Sequence, residues 1–439
     1  MSESPMAPFR DAAGKPPEEA KFFWTGGPVE VAQRTWFQSW LSGVTGFETD
    51  EGLVLVDAGL RQFGAMLAGM LRQRTQAPVH TVIFTQGHID HAYGLKDFLL
   101  PGQARPRIVA HRAMPERFRR YERTARFNAA INARQFGGSV RPAETTEAFD
   151  NFRAPELAPD TLYDERLVLT IGGLTFEVHH CRGETDDHSW IWCPERRVLC
   201  PGDLIIWGVP NAGNPQKVQR YPWDWAAGLR RMAALDAESL CPGHGGPVVA
   251  NSALIRRILL ETADYLDSLV TQTIAALNDS APPHVDIVRR VTPPRTASPW
   301  LQPVYDEAEF IVRNIIRYYA GWWSGRPSEL KPAPRTALAR EIAAAAGGAS
   351  TLLARAEALA GTDLRLACHL ADYALEAAPA DAAVQSGVAA TLREARGAGD
   401  QPDGAQHLPF RRGLRARRAA LRLTLRRARY ARDSRRRCD

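Results

Sequence analysis

Five short segments of this 439-residue chain combine side chains able to hold a cation. They are Leu55-Val-Asp57-Ala-Gly59, Thr85-Gln86-Gly87-His88-Ile89-Asp90-His91, Gly183-Glu184-Thr185, Pro201-Gly202-Asp203-Leu204 and Cys241-Pro-Gly-His244-Gly-Gly246. The second is the most informative, because His88, Asp90 and His91 crowd into four residues beside a glycine. Such a loop can turn its side chains towards two points instead of one. Imidazole nitrogens together with carboxylate oxygens suit Zn²⁺, and also Fe or Mn. Glu184, Asp203 and His244 complete a donor set large enough for two ions about 3.5–4 Å apart sharing a bridging oxygen. A lone Asp-His pair is more often a capping or core hydrogen bond. Five such segments in series argue against that bland reading.

Strands are needed to position these loops, and the chain supplies them. Gly52–Asp57, Val79–Thr85, Arg107–His111, Leu167–Thr170, Leu174–His179 and Arg197–Cys200 read as strands. Several are continuous apolar runs, as expected where a sheet is covered on both faces. Helical patterns fall between them at Arg61–Arg74 and Pro115–Gln135, so residues 23–250 are expected to form an α/β domain. From residue 251 the pattern turns helical: Leu254, Ile255, Ile258, Leu259, Leu266, Val270 and Ile274 form one stripe. Aromatics interrupt residues 292–335, and 336–396 are rich in Ala and Leu. Residues 251–396 therefore read as a helical domain, 1–22 as a disordered start, and 397–439 as a linker and tail.

Composition narrows the function. Hydrophobic residues make up 45% and charged residues 24%, which is ordinary globular usage. No stretch free of charge reaches the roughly 20 apolar residues of a membrane-spanning helix. The first residues lack an apolar signal core, so the expected compartment is the cytoplasm. No two of the six cysteines have Cys-x-x-Cys spacing, and buried thiols are expected. The net charge of +6 is misleading, because residues 407–439 hold 13 arginines and two aspartates. The rest of the chain is net acidic, which speaks against nucleic acid as the substrate of the body. RNA or acidic lipid remains open for the tail alone.

The ordered set Asp57, Gln86-x-His88-x-Asp90-His91, Glu184, Asp203 and His244 resembles the metallo-β-lactamase superfamily, whose fold is an αβ/βα sandwich. Within it the chain looks like the alkyl sulfatase group, in which Glu occupies the third motif, as Glu184 does here. Asn132-Ala-Arg-Gln-Phe-Gly137, Gly183-Glu-Thr-Asp-Asp187, Pro210-Asn-Ala-Gly-Asn-Pro215, Arg220-Tyr-Pro and Gly321-Trp-Trp-Ser-Gly325 extend the likeness over about residues 25–396. The resemblance implies a helical dimerisation domain after the sandwich, and hence a homodimer. It also implies two zinc ions. One would take Gln86, His88 and Glu184, and the other Asp90, His91 and His244. Asp203 would bridge them, and Asp57 would brace the loop from behind.

Gln86 departs from the pattern, which has His at that position. An amide oxygen is neutral and a poorer zinc donor than imidazole, so the first site is expected to be weaker or to take Fe or Mn. His179, His180 and His188 flank Glu184 and are candidates to replace the missing imidazole.

A bound metal pair brings the pKa of water to about 7 and so supplies hydroxide at neutral pH. Asp90 is expected to orient it as well as to ligate. A small anionic ester, a sulfate ester above all, is the expected substrate. Asn211, Asn214, Gln216, Lys217 and Arg220 offer amide and cationic donors for its head, with Arg134 a second anion-binding candidate. Trp207, Trp223 and Trp225 are candidates to pack its alkyl chain. A lactonase or phosphodiesterase would use the same chemistry, and a scaffold impaired through Gln86 is the non-enzymatic alternative.

Overall fold

The computed structural model of the protein describes residues 26–136, 151–279, 285–303 and 305–397. The expected disordered start at 1–22, the side chain of Arg134 and the arginine-rich tail lie outside the described residues.

Two sheets face each other. The first contains β1 (Gly26–Ala32), β2 (Thr35–Trp40), β3 (Ser42–Thr49), β4 (Gly52–Val56), β5 (Val79–Ile83), β6 (Arg107–His111) and β7 (Thr161–Tyr163), in that order. The second contains β8 (Arg166–Ile171), β9 (Leu174–His180), β10 (Ser189–Cys193), β11 (Val198–Ile206) and β12 (Ser239–His244), in the order β12-β11-β10-β9-β8. Alternation along the strands separates the layers. Val54 and Val56 of β4 pack inward with Phe176, Val178 and Ile191 of the second sheet. Leu53 and Leu55 face the other way, towards the helix Gly64–Leu71 and Phe118 of the helix Met114–Arg123. On the far side of the second sheet, Leu199 and Leu240 share a core with the helices Pro222–Ala233 and Ser252–Asn278. The result is the four-layered αβ/βα sandwich that the motifs imply. Because both faces of β4 are covered, its sequence is uniformly apolar, Leu-Val-Leu-Val after Gly52.

Pairing direction sets where the loops emerge. β4 and β5 are parallel, with Val56 opposite Ile83, so Asp57 and the Thr85–His91 loop leave the sheet at the same edge. β11 and β12 are also parallel, with Ile206 opposite His244. Asp203 differs from the sequence expectation: it lies inside the nine-residue strand β11, not beyond its end. The helix expected over Pro115–Gln135 is two helices, Met114–Arg123 and Ala125–Phe136.

The chain falls into two compact units: the first runs to Tyr319 apart from a short stretch from Arg134, and the second takes that stretch and the residues from Ala320, so the helix that starts at Ser252 belongs to the first. The reason is packing: Ile255, Leu259 and Leu266 of the long helix enter the same core as Trp225 and Leu229. The second unit builds its own core from Ala343, Leu352, Ala356, Ala371, Ala374, Val384 and Val388 on helices Arg335–Ala345, Ala349–Leu359, Leu364–Ala377 and Ala382–Gly397. Cys181, Cys193, Cys200, Cys241 and Cys368 are buried thiols. Among the described residues no helix is long and apolar enough to cross a membrane.

Candidate metal centre

Asp57 anchors the centre. Its backbone adopts φ of 60°, and its carboxylate accepts from the backbone and hydroxyl of Thr85, both at 2.7 Å. Nδ1 of His91 donates to its Oδ2 at 2.8 Å. That bond fixes the imidazole so that Nε2 faces away from Asp57. Nδ1 of His244 is likewise spent, donating to the Leu41 carbonyl at 2.6 Å. Both imidazoles thus present Nε2 to the same region, lying 3.2 Å and 3.4 Å from the two oxygens of Asp203. Asp90 Oδ2 lies 3.5 Å from Nε2 of His244.

Two donor groups result. Ligand atoms of Asp90, His91 and His244 lie within 4.8 Å of one another, as do those of His88, Glu184 and Asp203. Gly243 permits the close approach of β12, since a Cβ there would stand 2.0 Å from Asp203 Oδ1. His91 Nε2, Asp203 Oδ1 and Gln86 Oε1 are all buried without a hydrogen-bond partner. Buried polar atoms are seldom left so, and such a set of nitrogen and oxygen donors fits divalent cations.

Electrostatics agree with that reading. Burial alone would lower His91, but Asp203, Asp57 and Asp90 outweigh it and hold it well above its ordinary value. His244 is pushed to about 9, where Asp203 and Asp90 outweigh burial. Asp203 stays well below the usual carboxylate range, because His91 and His244 overcome the cost of burial. Burial, with Arg220 and Arg117 nearby, drives His88 far down, so it is neutral and ready to ligate. Cation binding would therefore displace protons from His91 and His244.

Gln86 touches the centre differently from a plain ligand. Its Nε2 donates to Asp203 Oδ2 at 2.6 Å, while its Oε1 is unpaired. Two of the three flanking histidines are engaged elsewhere. His179 stacks on Trp190 at 4.0 Å and His180 on His111 at 3.8 Å. His188 is fully buried, and neither ring nitrogen has a partner.

Two of the expected anion-binding residues, Arg220 and Asn211, lie against Glu184. Arg220 is buried, with Nη1 2.9 Å from Glu184 Oε1, and it also donates to the Glu184 carbonyl. Asn211 Nδ2 donates to the same Oε1. Both hold Glu184 in place. Trp207 and Trp225 are sealed in the core, their indole N–H groups donating to Gly246 and Leu204 carbonyls at 2.8 Å. Only Trp223 of the three is partly open, at 4.2 Å from Tyr318.

Sequence reasoning missed a second ring of residues. Asp187 Oδ2 accepts from Gly87 N at 2.9 Å, and its Oδ1 pairs with the buried Arg117 at 2.7 Å. This buried ion pair fixes the loop between Gln86 and His88. Asp187 stood inside a family-like stretch, but nothing in the sequence names Arg117 as its partner.

Comparison with known proteins fits this geometry. Residues 40–244 match the metallo-beta-lactamase superfamily, and residues 284–402 match the alkyl sulfatase dimerisation family. The chain therefore combines a metallo-β-lactamase domain with an alkyl sulfatase dimerisation domain. Among curated proteins it is 27% identical to the linear primary-alkylsulfatase of a Pseudomonas species, over 75% of this chain and 65% of that one. It is 25% identical to the alkyl/aryl-sulfatase of Saccharomyces cerevisiae, over 72% of this chain and 52% of that one. The chain thus spans between half and two thirds of those relatives. The stereoselective inverting sec-alkylsulfatase of a Pseudomonas species shares the fold, with a TM-score of 0.71 at 20% identity, covering 87% of this chain and 65% of that one.

Proposed function

We propose that this chain is a metal-dependent hydrolase of sulfate esters that works as a homodimer. The paired donor groups Asp90–His91–His244 and His88–Glu184–Asp203, in a chain whose relatives are named alkylsulfatases, carry this reading. His88 and Glu184 would hold one cation, Asp90, His91 and His244 the other, with Asp203 between them. Zinc suits the imidazole-rich group, and Fe or Mn the group beside Gln86. Bound there, such cations supply Lewis acidity and activated water.

The chain's own residues do the rest. Asp57 keeps the His91 tautomer with Nε2 turned inward. Arg220 and Asn211 hold Glu184, and Asp187 with Arg117 holds the loop carrying His88. Asp90, partly exposed beside His244, would orient the attacking water. Dimerisation is assigned to residues 284–402, through their match to the dimerisation family.

The test is elemental mass spectrometry on the full chain, followed by sulfate release from an alkyl sulfate. About two ions per chain, and turnover lost to a chelator, are expected. Turnover of lactones or phosphodiesters in place of sulfate esters would replace the substrate class. Failure to bind metal after reconstitution would overturn the enzyme reading.

A further inference from the structure

β2 and β3 are joined by one residue, Leu41, with Trp40 and Ser42 paired across it. Its φ is 80°, in the left-handed region that Gly and Asn visit and a bulky apolar residue rarely does. The nearest glycine, Gly43, serves another end: a Cβ there would stand 2.4 Å from the Pro242 carbonyl oxygen, so its absence lets β3 lie against β12. A backbone outlier of this kind persists only where its surroundings hold it, and such positions gather at functional sites. Here the surroundings are the metal centre. The Leu41 carbonyl accepts from His244 Nδ1 at 2.6 Å. One residue on, the hydroxyl of the buried Ser42 donates to the Asp90 carbonyl. Asp90 sits on a helix of four residues, Ile89–Ala92, too short to satisfy its own carbonyls. The Asp90 carbonyl therefore turns to Ser42, and that of His91 to Ala58 N at 2.7 Å.

We infer that the Leu41–Ser42 turn is a positioning element for the donor group Asp90–His91–His244. Its left-handed backbone aims the carbonyl that orients His244, and its hydroxyl fixes the backbone of Asp90. The inference rests on the metal-dependent reading above and concerns the ligands, not the substrate. The Leu41 carbonyl and the Ser42 N–H belong to one rigid peptide plane. Relaxation of Leu41 to negative φ would therefore redirect the carbonyl and the Ser42 side chain together. Two members of one donor group would lose an outer partner at once, which is the contact that sets a ligand's orientation and affinity. His244 Nε2 now stands 3.5 Å from Asp90 Oδ2, so a turn that holds both residues also holds the spacing between their ligand atoms.

The probe is Co²⁺, titrated into the metal-free full chain against a competing chelator while its visible absorption is recorded. Leu41→Asn is expected to keep wild-type affinity, because Asn adopts the left-handed conformation. Leu41→Val removes the same side chain but is β-branched and resists positive φ. It should weaken the ion at Asp90, His91 and His244 by about tenfold and shift its absorption band. Ser42→Ala should do the same, and Ser42→Thr, which keeps the hydroxyl, should recover most of the affinity. The ion at His88, Glu184 and Asp203 should stay near its wild-type affinity throughout. Equal losses in Leu41→Asn and Leu41→Val overturn the inference, since the side chain and not the turn conformation would then matter. Wild-type affinity and spectrum in Ser42→Ala overturn it too. So does an equal loss at both ions that tracks a lowered Tm of the metal-free variants, the sign of a merely structural role. A wild-type chain that binds no Co²⁺ overturns the metal-dependent reading and this inference with it. One that binds Co²⁺ but cleaves no sulfate ester overturns the sulfate reading alone.

Discussion

Nη1 of Arg220 lies 2.9 Å from Oε1 of Glu184, and both side chains are shut away from solvent. This pair ties the loop after β11 to the loop between β9 and β10. Helix Ala308–Ala320 joins the same unit, because Asn314 accepts from Arg220 N at 3.3 Å and donates to its carbonyl at 3.0 Å. Burial pushes Glu184 up to about 8 despite the pull of Arg220. The guanidinium therefore opposes, without overcoming, the burial that favours the protonated carboxyl.

Removing Arg220 should accordingly uncouple the first donor group. Arg220→Ala is expected to lower stability by about 3 kcal/mol, as when one partner of a buried pair is deleted. It should also lose about one metal ion per chain. Denaturant unfolding and elemental mass spectrometry measure the two effects. Glu184→Gln in the same background should recover stability but not the ion.

Asp57 acts on the other group. Asp57→Asn removes the carboxylate that accepts from His91 Nδ1. Metal affinity at Asp90, His91 and His244 should fall about 10–100-fold, the usual effect of losing an outer partner of a ligating histidine. Competition against a chromogenic chelator reads this directly, with the ion at His88 and Glu184 less affected.

Gln86 donates to Asp203 Oδ2, so its replacement tests how the shared carboxylate is held. Gln86→His should raise the affinity of the weaker ion, because imidazole is the better zinc donor. Gln86→Ala should lower it and leave the buried oxygen of Asp203 without its donor. Dialysis against limiting zinc, followed by metal counting, separates the two variants.

Asp306 gives a pH signature from a residue outside the two donor groups. It is fully buried and accepts from Gly213 N and, at 2.8 Å, from Glu307 N. Burial outweighs these amides and lifts its carboxyl from 3.8 to about 7. The folded state therefore holds the proton more tightly than the unfolded chain. This contribution is complete below about pH 4 and is lost as pH rises towards 7. Asp306→Asn should lose less stability than the wild type between pH 4.5 and 8, as measured by Tm.

Much of the fold was legible in the sequence because β4, β5, β6 and β9 carry their pattern locally. Continuous apolar runs marked covered strands, and glycine-flanked polar residues marked the loops. The strands β1–β3 were less legible: Trp36, Gln38 and Ser39 are buried there, but polar and glycine residues break the pattern. Gln38 is tolerated in the core only because its Nε2 donates to the Leu67 carbonyl at 2.6 Å, a partner 29 residues away. The helical stripe from Leu254 was also visible, but its membership of the first compact unit was not. That depends on which core its apolar face enters.

By itself the sequence determined the donors: two imidazoles and a carboxylate within four residues, then Glu184, Asp203 and His244, each in a recognisable motif. Residue type and local spacing are properties of the chain, so they can be read from it. Only the tertiary structure decided the partners. Asp57 meets His91, Gln86 donates to Asp203, Asp187 holds Gly87 and Arg117, and Arg220 pairs with Glu184. The reason is desolvation: a buried charge must find its counter-charge among whatever the fold brings near. Parallel pairing of β4 with β5 and of β11 with β12 is what brings those residues within reach.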